Sequence, residues 1–223
     1  LTARELKLDA LYPVDGLKAS YADEYSARFP RDWLVDQRVA LIKARQSSPD
    51  DILGVSKKSV SRPGSAPSGV VPDAAWGPAG GGQRSARERQ NLSVVKQLLP
   101  PKPSGLMQEI SEILGEPEPS LRRLLVESIA PEGSKRTAEA LRAVKVERGG
   151  NVYYEFQWRT SFQSGFQLRT YSSAALGPPD QQGRRNLYTL TAVLPETEAA
   201  AEAQGVAALM PRILEGFRVQ SPY

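Results

Sequence analysis

The chain contains no cysteine and no histidine. Without cysteine there are no disulfides, no thiolate metal sites and no cysteine nucleophile. Without histidine the usual general base at neutral pH is missing, and with it the commonest metal ligand and any Ser-His-Asp arrangement. No apolar run approaches the roughly 20 residues that a membrane-spanning helix needs. Charge of one sign is also scarce: 29 Lys and Arg against 25 Asp and Glu leave a net +4. The 223 residues fit one domain of ordinary size, long enough to bury a core without staples. They begin at Leu1 instead of Met, as expected after removal of a targeting segment and equally at a boundary set in another way.

What is present is strongly patterned. The stretch "GGNVYYEFQWRT" (149–160) holds the densest run of aromatics. Tyr154, Phe156 and Trp158 alternate with Tyr153, Glu155, Gln157 and Arg159, which is the period of a strand. Aromatics at that spacing fit a half-buried pleated surface, so the stretch reads as core. A base-stacking platform is the rival, but the RNA-recognition signature is absent. The paired glycines predict a tight hairpin with a strand at 142–148. Further strands are expected at 166–174 and 186–194, and upstream at 21–29, 34–42 and 91–99. In the second of these upstream strands Val35, Val39 and Leu41 share one side.

Helical spacing appears in three places: Leu106, Ile110, Ile113 and Leu114; then Leu121, Leu124, Leu125 and Ile129 after Pro119; then Val206, Leu209, Met210, Ile213, Leu214 and Phe217 in a closing helix over 197–216. Pro211 lies inside that last stripe and predicts a kink. Strands joined by hairpins, with helices at two separate places, predict an α+β fold: a central antiparallel sheet sandwiched between helices.

Residues 43–90 have a different character. They hold 8 Ser, 7 Gly and 5 Pro, too many breakers for packed structure. They also carry 8 Lys or Arg against 4 Asp or Glu, an excess equal to the whole chain's net charge. The basic character therefore belongs to an insertion, and the remaining body is neutral. Lys57, Lys58, Arg62, Arg84, Arg87 and Arg89 read either as solubilising charge or as an arm that docks on an acidic surface. Trp76, in the middle of the segment, either tucks back onto the domain or anchors an interface. The organisation expected is an extension at 1–20 and a single domain at 21–219 interrupted by 43–90.

Other motifs yield bland readings. "SVVK" (93–96) matches an acyl-transfer string, but on a strand an offset of three separates the side chains. "NLS" at Asn91 is a glycosylation triplet on what reads as a strand. "GPAGGG" (77–82) lacks the Gly-Lys-Ser/Thr of a phosphate loop. Glu116 with Glu118, and Asp50 with Asp51, read as solvated loop acids.

Taken in order, "YSARFPRDW" (25–33), "NLSVV" (91–95), "LGEPEPSLRRLLVESIAP" (114–131), "GGNVYYEFQW" (149–158), "RRNLYTLTAVLPE" (184–196) and "ILEGFRV" (213–219) resemble the PsbP family of the thylakoid lumen. The resemblance implies a central antiparallel sheet between helices. It also implies a non-enzymatic protein that binds photosystem I or photosystem II on the lumenal side, as an extrinsic subunit or an assembly factor. The founding member helps photosystem II retain calcium and chloride. Metal association there runs partly through histidines, which this chain lacks, so calcium binding does not carry over and no cofactor is implied. The long basic insertion is a second departure, and both favour a PsbP-domain relative. The rival class is a small-ligand or enzymatic domain using a cleft between sheet and helices. Nucleic-acid binding would need a basic face on the body, which the neutral charge balance opposes.

Overall fold

The computed structural model describes residues 7–37, 39, 72–79, 90–100, 109–196 and 201–220. Among the described residues, ten strands form two antiparallel sheets. In the small sheet, β1 (Leu17–Tyr21) and β10 (Arg218–Val219) flank β2 (Tyr25–Pro30). The large sheet comprises β3 (Trp33–Val35), β4 (Ala74–Pro78), β5 (Asn91–Leu98), β6 (Arg136–Arg148), β7 (Asn151–Phe162), β8 (Gln167–Leu176) and β9 (Asn186–Pro195). Its spatial order is β3-β4-β5-β9-β8-β7-β6. Gly149 and Gly150, with φ 56° and 81°, join β6 to β7 in the expected tight turn. Helices among the described residues include α1 (Ile110–Leu114), α2 (Pro117–Leu124) and α3 (Ala201–Gly216), and a π turn (Leu125–Ile129) continues α2.

The period-two alternation on β7 and its neighbours divides the core between the two faces of the large sheet. Tyr154, Phe156 and Trp158 pack with Ala174, Leu187, Ile110, Leu121 and Leu125 under α1 and α2. On the other face Tyr153, Tyr188, Leu190 and Leu194 pack with Met210 and Ile213 of α3, with Phe217 directly after that helix, and with Tyr25 and Phe29 of the small sheet. One face is thus covered by helices and the other by a helix together with a second sheet. The aromatic run is core, as its pattern predicts, and both Tyr153 and Tyr154 are fully buried.

Several boundaries differ from the sequence reading. The segment before residue 21 is not all extension: Leu17–Tyr21 forms β1, and a short 3-10 turn (Leu8–Ala10) precedes it. The strand expected at 34–42 ends at Val35, residue 39 is helical with Val39 buried, and Leu41 lies outside the described residues. The helix expected at 106–114 is described from Ile110 onward. The closing helix expected over 197–216 is described from Ala201 to Gly216, with Pro211 inside it. Within 43–90, Ala74–Pro78 forms β4, so that stretch is not one uninterrupted insertion.

The two edges of the large sheet are handled differently. The edge strand β6 is long but carries Arg136, Glu139, Arg142, Lys145 and Glu147, and charges of this kind oppose edge-to-edge pairing. The other edge, β3, is three residues long.

Candidate functional site

Strand β4 organises the edge where the basic segments attach. Val35 of β3 pairs with Trp76, and Trp76 pairs with Leu92 of β5, both antiparallel. The β3–β4 and β4–β5 connections must therefore leave β4 at opposite ends. Lys57, Lys58 and Arg62 belong to the first connection, and Arg84, Arg87 and Arg89 to the second; all six lie outside the described residues. They do not form one arm along the chain. Trp76 itself is 2% exposed, with its ring stacked on Phe29 at 5.2 Å, so it is a core residue and not an available interface anchor.

A cleft of about 470 Å³ opens between the turn before β1, the β2–β3 turn and α3. Gly16, Arg31, Asp32, Trp33, Gln90 and Gly205 line it. Gly205 faces open space, so α3 presents bare backbone there. Pro78 and Gln90, at either side of the β4–β5 connection, both stand in the wall. The cleft offers exposed charges of both signs, from Arg31 and Asp32, beside a buried amide from Gln90. Among the described residues its lining has no hydroxyl, amine or second carboxylate, and none of the described groups with a displaced pKa borders it. Such a set can hold a hydrogen-bonding ligand but has no tuned acid–base pair.

The polar clusters elsewhere hold the layers together. The Tyr25 hydroxyl donates to Asp73 at 2.6 Å, which ties the small sheet to the start of β4. Burial, and then Asp73, push the Tyr25 phenol well above its ordinary range; burial, and then Glu24, do the same to Tyr188. Both phenols therefore stay protonated and act as donors. Lys96 completes this corner through an ion pair with Glu24. Ser93 and Lys96 are neighbours only in sequence, because both lie on β5 at an odd offset. Glu116 precedes α2, while Glu118 lies in its first turn and pairs with Arg122 at 2.6 Å; both have structural settings.

Across the large sheet Arg159 of β7 stands opposite Arg169 of β8, a like-charge juxtaposition. Glu196 relieves it, accepting from Arg159 at 2.7 Å and pairing with Arg169. The Arg159 hydrogen bond is the main cause that holds the Glu196 carboxyl below its ordinary value of 4.5, against some opposition from burial. A carboxylate depressed on folding adds stability above its unfolded pKa, and that contribution is lost as pH falls through the folded value. Glu196→Gln is therefore expected to cost no more than about 1 kcal/mol at neutral pH, because the cluster is partly solvated. The difference from the parent should vanish in strong acid. Urea titrations of both proteins over a pH series would check this.

Together these features describe a two-sided α+β scaffold with a mixed-charge cleft near the β3–β4 edge. No group of three or more Asp and Glu among the described residues could hold a metal ion, and no described helix is long and apolar enough to cross a membrane. The PsbP family model matches residues 66–219, more than half of the chain, and the chain belongs to the PsbP family of photosystem-associated lumenal proteins. Among solved structures, the solution structure of cyanobacterial PsbP (CyanoP) from Synechocystis sp. PCC 6803 is similar over 93% of this chain and 94% of that one. Its TM-score is 0.50 at 16% identity, a likeness of fold. A point mutant of the protein Mog1 is also similar, with a TM-score of 0.41 and 13% identity over 92% of this chain and 96% of that one. No curated protein matches.

Sequence reading missed the cleft because its walls come from four distant places in the chain. "FPRDW" reads as a turn, which it is, but nothing local shows that Gly16, Gln90 and Gly205 meet it. The only available signal was helical: Gly205 is an isolated glycine inside an apolar stripe, a position that often marks close packing or an opening.

Proposed function

We propose that this chain is a non-catalytic protein of the thylakoid lumen that docks on photosystem I or photosystem II as an extrinsic subunit or assembly factor. The match of the PsbP family model over residues 66–219 carries the reading. The geometry supports it in two ways. Both faces of the large sheet are packed with side chains, and the Tyr25 phenol is spent on a bond to Asp73 between the two sheets. In addition, basic residues occur on two connections that leave opposite ends of β4. Basic residues on two separate connections suit docking on an extended acidic surface, where charge steers encounter and fixes orientation.

The test is affinity purification of the tagged protein from solubilised thylakoids, followed by mass spectrometry. Variants lacking residues 43–70 and residues 81–88 would run in parallel. One photosystem complex is expected with the parent, and each deletion should lower recovery separately, with weaker capture as salt rises. Equal recovery from both deletions and the parent would remove the basic loops from the docking surface. Absence of any membrane complex with the parent would refute the reading. The cleft favours one alternative, a small-ligand-binding domain; a ligand that raises the melting temperature of the parent but not of Gly205→Leu would support it.

A further inference from the structure

Gln90 breaks the apolar pattern of its strand. The alternation of β5, carried back one residue from Asn91, places Gln90 on the face of Leu92 and Val94. Those two are fully buried in the core on the α3 side of the large sheet. Gln90 is only 6% exposed, yet it brings an amide to that face. No hydrogen bond from the amide reaches another described residue, and Gln90 stands in the wall of the cleft. A buried amide without a protein partner destabilises the fold, so packing alone does not account for it. Gly205, also in the wall, is a second residue that packing does not require. It lies inside α3, where glycine is less stable than alanine, and a Cβ there would meet nothing within 4 Å. What a side chain at 205 would enter is the cleft.

The rim carries one charge of each sign. Arg31 and Asp32 are exposed, and no ion pair joins either to the other or to another described residue. Trp33, Val206 and Leu209 supply an apolar wall. A ligand that uses every one of these groups carries a carboxylate for Arg31, an ammonium for Asp32, an amide for Gln90 and aliphatic groups for the wall. A free amino acid lacks the amide, and the end of a protein chain has only one of the two charges. A dipeptide with aliphatic side chains has all four features. The cleft, at about 470 Å³, is of the size that takes small ligands.

We infer that the cleft binds short aliphatic peptides with both termini free, held by Arg31, Asp32 and Gln90. The inference rests on the small-ligand reading of the cleft and is independent of docking on a photosystem. Leucyl-leucine, N-acetyl-leucyl-leucine and leucyl-leucinamide would be titrated into the full chain by calorimetry. The parent should bind leucyl-leucine, and each blocked peptide about tenfold more weakly. Asp32→Asn should weaken leucyl-leucine about tenfold and leave the acetylated peptide unaffected, and Arg31→Gln should do the same for leucyl-leucinamide. This crossing of variant and ligand ties each charge to its terminus.

Gln90→Leu should also bind about tenfold more weakly, while melting no lower than the parent because its amide has no structural partner. A lower melting temperature with unchanged affinity would make Gln90 a structural residue and overturn the inference. No binding of leucyl-leucine by the parent would overturn it, as would equal affinity for the blocked peptides or losses without the crossing. Full affinity for N-acetyl-leucyl-leucine alone would assign the cleft to a protein C-terminus and also overturn it. If leucyl-leucine fails but another compound raises the melting temperature of the parent and not of Gly205→Leu, the cleft stays a ligand site and the peptide assignment alone falls.

Discussion

Replacing Arg148 with alanine is expected to cost about 3–5 kcal/mol of folding stability, the usual penalty for leaving a buried charge unpaired. Arg148 ends β6, next to the two-glycine turn, and its side chain is 11% exposed. It forms an ion pair with Glu155 of β7, whose side chain is equally buried, and its guanidinium lies 5.1 Å over the ring of Tyr153. It also donates at 2.8 Å to the carbonyl oxygen of Leu214, in the last turn of α3, where helix carbonyls lack partners within the helix. Nearby, Asn151 donates to the carbonyl oxygen of Val219 at 2.9 Å, and the Val219 N–H donates to the Tyr153 hydroxyl at 2.9 Å. The β6–β7 turn therefore clamps the end of the chain. Truncating Arg148 strands the Glu155 carboxylate and frees the helix end together. Urea unfolding would measure the loss, and the double variant Arg148→Met with Glu155→Met should recover part of it. An unchanged midpoint in Arg148→Ala would mean that the clamp adds nothing to stability.

Trp76→Ala is expected to have a comparable effect, about 3–5 kcal/mol, as for other large aromatic truncations in cores. The ring bridges the two sheets: it comes from β4 of the large sheet and stacks on Phe29 of the small one, with an interplanar angle of 15°. Its loss opens a cavity at the place where β4 meets the body. The measurement separates two roles cleanly. A core residue lowers the melting temperature and affects partner capture only through unfolding. An interface anchor would leave the melting temperature unchanged and weaken capture at temperatures where the chain is folded. The burial of Trp76 commits it to the first pattern.

The central strands were legible because both of their faces are buried and their residues leave little ambiguity. Tyr154, Phe156 and Trp158 alternate with Tyr153 and Glu155, and no helix places such residues on two opposed surfaces. The α3 stripe is equally clear: Met210, Ile213 and Leu214 are all buried, as is Phe217 directly after the helix. By contrast, β4 was hidden among breakers, because its sequence "AAWGP" contains a glycine and a proline that ordinarily argue against a strand. It survives near an edge, where Trp76 supplies the packing and Pro78 falls at the strand end. Strand β1 was missed because "LKASY" offers one short alternation with a lysine in it. The separation of the basic residues between two connections required β4 to be seen as a strand, which its glycine and proline hid. The cleft required the meeting of Gly16, Trp33, Gln90 and Gly205, which only the tertiary fold supplies.

Strand β2 has β1 on one side and β10 on the other, so the chain's early and late segments share one small sheet. Synthesis proceeds from the N-terminus, and β2 must wait for residues 31–217 before its second neighbour is made. Until then Tyr25 lacks Phe217, whose ring centroid lies 6.4 Å from its own in the finished domain, and the Tyr153 hydroxyl lacks the Val219 N–H. A nascent or clipped chain that stops short of Phe217 is an unclosed box with its aromatic lining open to solvent. Quality control by proteases and chaperones can sense that state, and a chain cut there is marked for removal by its own exposed rings.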